Sequence, residues 1–353
     1  MNVVRKHWLG RLITVALVLS PVTGGFLFAG PPGDQAPGTD GRATIESKPL
    51  RTIRGHGDGI FSVAFAPDTS CLASGSRDRT IKLWDTTTGK LIRTLRGHDN
   101  QVLRVAFSRD GRRFAAGSAD NTARIWDVKT GQEMLTLKGH KNWVAGVAFS
   151  SDGARLATAS ADRTIKIWDA ATGREIRTLA GHTAEVWSVV FHPDGRHLAS
   201  AGKDGTIRMW DADTGESRNS WRGDAHEVYT VAFSPDGRSL ASANKDGTVK
   251  VWNPHTGQEL LTLKGHANEI YTVAFSPDGK KLASASADQT VRVWELATAK
   301  TLSTLKGHTN AVYAVEFSPD GNWLASAGQD RTSKIWQAPG QKEETPGKSG
   351  DSR

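Results

Sequence analysis

The chain has 353 residues, 37% of them apolar, with 37 glycines, twelve tryptophans and one cysteine. This composition fits a folded globular protein and excludes a disordered chain, an internal disulfide framework and a multi-cysteine zinc site. The net charge of +8 is spread along the sequence rather than gathered into the basic stripe of a nucleic-acid binder.

At the amino end, Arg5, Lys6 and Arg11 precede an uncharged run from Leu12 to Gly30. A basic start followed by an apolar stretch is the pattern of an export signal, and Val22-Thr23-Gly24 offers a small-residue cleavage site. The alternative is an uncleaved anchor, because Leu12 to Ala29 would span roughly 27 Å as a helix. Pro21, Gly24 and Gly25 weaken that helix. Either way the basic flank is expected to stay in the cytoplasm while the rest crosses, giving a secreted, periplasmic or membrane-anchored protein. No cysteine follows the run, which argues against a lipid-modified amino terminus. Residues 1–30 thus read as export signal or anchor, 31–49 as a flexible linker and 338–353 as a disordered polar tail.

Between the ends the sequence repeats every 42 residues. Gly-His recurs at Gly55-His56, Gly97-His98, Gly139-His140, Gly181-His182, Gly265-His266 and Gly307-His308, with Gly223-Asp224 in the remaining slot. Aspartate recurs from Asp78 to Asp330, and tryptophan from Trp84 to Trp336, on the same step. Within one repeat, Ile270–Phe275 alternates apolar residues with period two, which predicts a strand. Ser276-Pro277-Asp278-Gly279 predicts a tight turn. Leu282–Ser286, Thr290–Trp294 and Thr301–Leu305 predict three more strands. Four short antiparallel strands per repeat suit an all-β propeller rather than a helical solenoid.

With Trp-Asp at Trp84-Asp85, Trp126-Asp127, Trp168-Asp169 and Trp210-Asp211, the repeats resemble those of the WD-repeat (β-transducin-like) family. The resemblance covers residues 50–337 and implies a seven-bladed β-propeller of four-stranded antiparallel blades around a central channel. Leu50–Gly55 matches Ile92–Gly97, an outer strand with no inner strands before it, whereas nothing follows Trp336 to serve as one. Residues 50–54 are therefore expected to complete the blade begun at Ala311 and close the ring.

Ser74, His56 and Asp78 contain the residue types of a serine hydrolase. The resemblance instead places them, with Trp84, in a structural hydrogen-bonded tetrad. The set recurs as His140/Thr158/Asp162/Trp168 and His182/Ser200/Asp204/Trp210, and an enzyme needs one such site, not seven. Ala116 in the second blade and Asp224 in the fifth break the pattern. Cys71 aligns with Arg113, Arg155, His197, Ser239, Lys281 and Trp323, so an exposed thiol is expected. No phosphate-binding loop, CxxC pair or HExxH helix occurs, and with the repeat histidines on separate blades no metal and no cofactor are expected.

The resemblance also implies a docking platform whose contact face carries the Gly-His loops. The position five beyond the repeat histidine varies as Phe61, Leu103, Ala145, Trp187, Tyr229, Tyr271 and Tyr313. Trp143, Glu185, Glu227 and Glu269 stand two residues before that slot, and Lys203 and Lys245 precede the repeat aspartates. Aromatics ringed by charge suit a binding hot spot; the other reading is that they merely plug the channel mouth. The reading adopted is a monomeric, non-catalytic scaffold for a protein or peptide. The alternatives are an enzyme at the channel mouth and a polyanion or nucleic-acid binder, the latter disfavoured by the glutamates. Any membrane contact would run through residues 12–29.

Overall fold

The computed structural model describes residues 48–340, and these form twenty-eight strands in seven four-stranded antiparallel sheets. In blade six the strands are Ile270–Phe275, Lys281–Ser286, Thr290–Glu295 and Lys300–Lys306, in that order from channel to rim. The others repeat this plan with inner strands beginning at Ile60, Val102, Val144, Val186, Val228 and Val312. The turn chemistry behaves as its residue types require. In blade six, Ser276 Oγ donates to Asp278 Oδ1 at 2.5 Å, and Gly279 takes a φ of +68° that suits glycine.

The core lies between blades. Second strands carry small residues so that the next blade's inner strand can approach. Ala157 and Ala159 pack on Val186 and Val189, and a Cβ on Gly75 would lie 2.8 Å from methyls of Val102 and Val105. The repeat tryptophans enter the core shared with the preceding blade, as Trp126 does with Ile81 and Leu95, and Trp126, Trp210, Trp294 and Trp336 are fully buried.

The ring closes with a strand from the amino end. Arg51–Arg54 pairs antiparallel with Thr332–Gln337, in register Arg51 to Ile335 through Arg54 to Thr332. Ile53 joins Ile335, Ala325 and Ala327 in one apolar cluster that continues into Ile60 and Val63 of blade one. The buried Lys334 donates from Nζ to Thr52 Oγ1 at 3.1 Å. Both ends of the ring thereby lose an open sheet edge.

Two expectations about the blades need correction. The period-two alternation of the inner strand does not run through. Ile270 pairs with Ser286 and Thr272 with Ala285, so Tyr271 is a β-bulge outside the ladder, and Ile270 and Val273 share the core. Cys71 is buried, not exposed, and burial pushes its thiol pKa up to about 12. Its aligned residues explain the misreading. Arg113 and Arg155 reach across to the next blade, donating to Gly153 O and Gly195 O at 2.7 Å each, so a long polar side chain there marks a blade-to-blade contact.

Export and a transmembrane helix are also corrected. Among the described residues no helix is long and apolar enough to cross a membrane. The proposed signal or anchor at 1–30 lies outside the described residues, as do most of the linker and the tail from 341.

Candidate functional site

Five blades hold a complete buried hydrogen-bond chain. In blade one, Trp84 Nε1–H donates to Ser74 Oγ at 2.8 Å, Ser74 Oγ lies 2.7 Å from His56 Nε2, and His56 Nδ1 lies 2.8 Å from Asp78 Oδ2. The carboxylate can only accept, so Nδ1 carries the proton and Nε2 accepts from the serine. Blade three repeats the set with Trp168, Thr158, His140 and Asp162, and blade four with Trp210, Ser200, His182 and Asp204. Blades six and seven do so through His266 and His308. Burial opposes ionisation of these aspartates, yet the imidazole N–H, a threonine hydroxyl and loop N–H groups hold Asp78, Asp162 and Asp204 well below the usual carboxylate range. Each serine or threonine hydroxyl is buried and engaged on both sides by histidine and tryptophan, an arrangement that holds a loop onto a blade.

The remaining two blades are incomplete. His98 bonds Asp120 at 2.8 Å, but with Ala116 at the hydroxyl position its Nε2 is buried without a partner. In blade five, Trp252 still donates to Ser242 at 3.0 Å, while Asp224 replaces the imidazole and accepts the Asp246 N–H at 3.3 Å. His226 is exposed.

The variable slot is the bulge itself. In every blade the residue skipped by the ladder is this position, from Phe61 between Ile60 and Ser62 to Tyr313 between Val312 and Ala314. A bulge frees its side chain from the alternation of the sheet. Here it sets the aromatics side by side around the mouth. Trp187 stacks on Tyr229 at 5.0 Å between centroids and 11° between planes. Tyr229–Tyr271, Tyr271–Tyr313 and Tyr313–Phe61 follow at 5.3, 5.2 and 5.4 Å. The result is one continuous arc over blades four to seven and one. Leu103 and Ala145 leave blades two and three outside it, and Trp143, half-buried, stands outside the chain of ring contacts.

Four of the five aromatics are half-buried and Tyr313 is buried. The Tyr229 hydroxyl donates to Glu269 at 3.2 Å and the Tyr313 hydroxyl to Gln329 at 3.0 Å. Burial and the neighbouring Glu269 raise both Tyr229 and Tyr271 above the ordinary phenol range, so these rings are neutral. Lys203 pairs with Glu185 at 3.1 Å and Lys245 with Glu227 at 3.2 Å. The charges flanking the arc therefore satisfy one another on the same blade. The Trp187 indole N–H is buried without a partner, at the arc's end.

Residues 44–212 match the family described as the WDR3 first beta-propeller domain, and residues 186–351 that of the echinoderm microtubule-associated protein second beta-propeller. The chain belongs to the WD-repeat β-propeller family. Individual curated relatives align over short stretches. The vegetative incompatibility protein HET-E-1 of Podospora anserina is 54% identical over 39 residues, 11% of this chain and 3% of its own. Protein Mut11 of Chlamydomonas reinhardtii is 42% identical over 53 residues, 15% of this chain and 14% of its own. The nuclear distribution protein nudF 2 of Aspergillus clavatus is 42% identical over 52 residues, 15% of this chain and 12% of its own. WD-repeat propellers are mostly non-catalytic scaffolds that bind proteins. With relatives named as a nuclear distribution protein and a transcriptional repressor, the expectation of an exported WD-repeat protein does not stand.

Two features of this WD-repeat chain escaped sequence reasoning. Arg104 and Glu316 line the channel, where other blades place small or apolar residues, in a cavity of about 770 Å³ ringed by one phenylalanine per blade from Phe65 to Phe317. Glu316 accepts the Phe65 N–H at 3.0 Å, and burial pushes its pKa up to about 7. The other feature is the blade-four turn. Setting metal aside rested on the repeat histidines and passed over His192 and His197, which lie on either side of Asp194. The usable sign was His-Pro-Asp-Gly-Arg-His in place of the serine-headed turns of five other blades.

Proposed function

We propose that this propeller is a docking platform that takes a protein or peptide segment across the channel mouth at the aromatic arc. The observation carrying this reading is the continuous run of ring contacts Trp187–Tyr229–Tyr271–Tyr313–Phe61, half-buried except at Tyr313, which the blade core does not require because Leu103 and Ala145 fill the same slot elsewhere. Stacked aromatics give large contact area at low entropic cost and end here in an unpaired indole donor. Glu185–Lys203 and Glu227–Lys245 edge the arc as paired charges, so they orient a partner more than they attract it.

The test selects peptides from a display library against the full chain and measures their affinity for the protein and for a Trp187→Ala/Tyr229→Ala double variant. The expected result is unchanged folding with binding weakened by about 2 kcal/mol or more, roughly thirtyfold. Normal binding by the folded variant places the contact face elsewhere. Unfolding of the variant makes the aromatics plugs of the channel.

A further inference from the structure

We propose that the turn at the far end of blade four is a binding site for a divalent transition-metal ion, with zinc as the matching ion, held by His192 Nδ1, Asp194 Oδ2 and His197 Nδ1. One ligand atom from each of the three residues lies within 4.8 Å of the other two, and Asp194 Oδ2 is 3.0 Å from His192 Nδ1 and 2.7 Å from His197 Nδ1. Ligand atoms about 2.0 Å from a tetrahedral zinc are roughly 3.3 Å apart, so small side-chain rotations suffice to admit the ion. Two imidazoles and a carboxylate suit zinc and leave a fourth position for water. His255, whose ring centroid lies 6.4 Å from that of His192, borders the same place.

The repeats supply an internal control. Where blade four has His192, blade one has Ala66 and the other five blades have serine, whose hydroxyl donates to the turn aspartate, as Ser108 does to Asp110 and Ser150 to Asp152, at 2.5 Å each. In blade four that bond is gone. Asp194 Oδ1 accepts the N–H groups of Arg196 and His197 at 2.7 and 3.1 Å, which fixes the carboxylate and turns Oδ2 toward the two rings. His192 Nε2 lies 3.1 Å from Gly237 O of the next blade. A carbonyl only accepts, so Nε2 holds the proton. A ring nitrogen engaged in that way is the usual support of a metal-binding histidine. Gly237 is itself part of the seat, since a Cβ there would come within 2.2 Å of His192 Nε2.

The protonation pattern points to a cation. The Asp194 N–H is directed at His192 Nδ1 at 3.1 Å, so that nitrogen presents a lone pair in the neutral ring. It then faces carboxylate oxygen Oδ2 at 3.0 Å, lone pair against lone pair. A positive charge shared between the two atoms relieves that opposition. A divalent metal ion, with His197 as third ligand, supplies that charge. The site lies past the far end of the inner strand Val186–Phe191 that carries Trp187 near its start, so it is separate from the aromatic arc.

The test titrates the full chain with Zn²⁺ alone in a non-chelating buffer by calorimetry, and with Co²⁺ for its ligand-field bands. One ion per chain is expected, with tetrahedral Co²⁺ bands. Asp194→Asn, which keeps the turn's size, and His197→Ala are each expected to weaken Zn²⁺ binding at least tenfold. The His192→Ala/His197→Ala double variant is expected to abolish it, with His226→Ala unchanged. Folding is checked by thermal melting, and Asp194→Asn decides the matter should the double variant unfold. No stoichiometric Zn²⁺ binding by the full chain, or equal binding by folded Asp194→Asn, overturns the proposal.

Discussion

Blades three and five share strand order and register, and they differ in what holds the loop above them. In blade three the indole of Trp168, the hydroxyl of Thr158, the ring of His140 and the carboxylate of Asp162 satisfy one another in a single chain. Blade five keeps only the Trp252–Ser242 link. With Asp224 in place of the imidazole, its loop is braced by Arg222, which donates to Asp224 O at 3.1 Å and Ala225 O at 2.8 Å. The fold therefore requires the tryptophan wedge and the small second strand, while the rest of the tetrad fastens the loop. Blade two lies between them, with a buried histidine short of one partner.

Removing a whole fastening has the largest expected effect. Blade seven lacks even covalent continuity, since its outer strand comes from residues 51–54. A chain beginning at Gly55 is expected to be less stable than one beginning at Arg42 by more than about 3 kcal/mol, the order of Ile53 burial plus lost ladder bonds. Denaturant unfolding of the two measures this, and equal midpoints would show that the ring holds without the strand.

Next, Asp162→Ala removes the partner of the buried His140 Nδ1–H and should cost about 1–3 kcal/mol. Asp246→Ala should cost under about 1 kcal/mol, because Asp224 stands where an imidazole would and no buried donor is orphaned. Similar losses at both positions would erase the distinction between the blades. Acid sharpens the same contrast. A carboxyl held below its unfolded value of 3.8 stabilises the fold above that pH and loses its contribution as pH falls further. Asp162→Asn should therefore flatten the loss of stability between about pH 5 and pH 2. Glu316 works in the opposite direction. Its raised pKa favours the protonated folded state, so its contribution is present at low pH and lost as pH rises toward about 7.

Completing blade two should convert it to the blade-three type. Ala116→Ser gives His98 Nε2 a hydroxyl donor and is expected to stabilise by about 1 kcal/mol. A loss instead would mean that the core around Ala116 cannot admit the oxygen. The smallest effect concerns the turn after the repeat aspartate. Arg163 is exposed with φ +75°, while blades four and five have Gly205 and Gly247 there. Arg163→Gly should gain about 0.5 kcal/mol by relieving the left-handed backbone, read as a small rise in melting temperature.

Much of this architecture was legible because it is periodic. Strand count, blade count, the ring-closing strand at 50–54 and the tetrad members each recur at a fixed offset, so one repeat explains the others. The candidate docking residues were named as positions, but their joining into one arc was not. Tyr271 looked like a member of a period-two strand, and only the ladder shows it as a bulge. Cys71 was misplaced for a related reason, since an arginine at its aligned position is long enough to reach a neighbouring blade while a cysteine is not.

The sequence by itself determined a seven-bladed all-β ring, because strand propensity, turn chemistry and a 42-residue period are local properties that add along the chain. Tertiary structure alone decided what the blades present to one another. Stacking at 5.0 Å between Trp187 and Tyr229 needs bulges on two blades facing one mouth. The seat of His192 needs the carbonyl of Gly237 from the next blade. These contacts join residues 42 or more apart, at distances set by how sheets pack around a ring, which no local pattern contains.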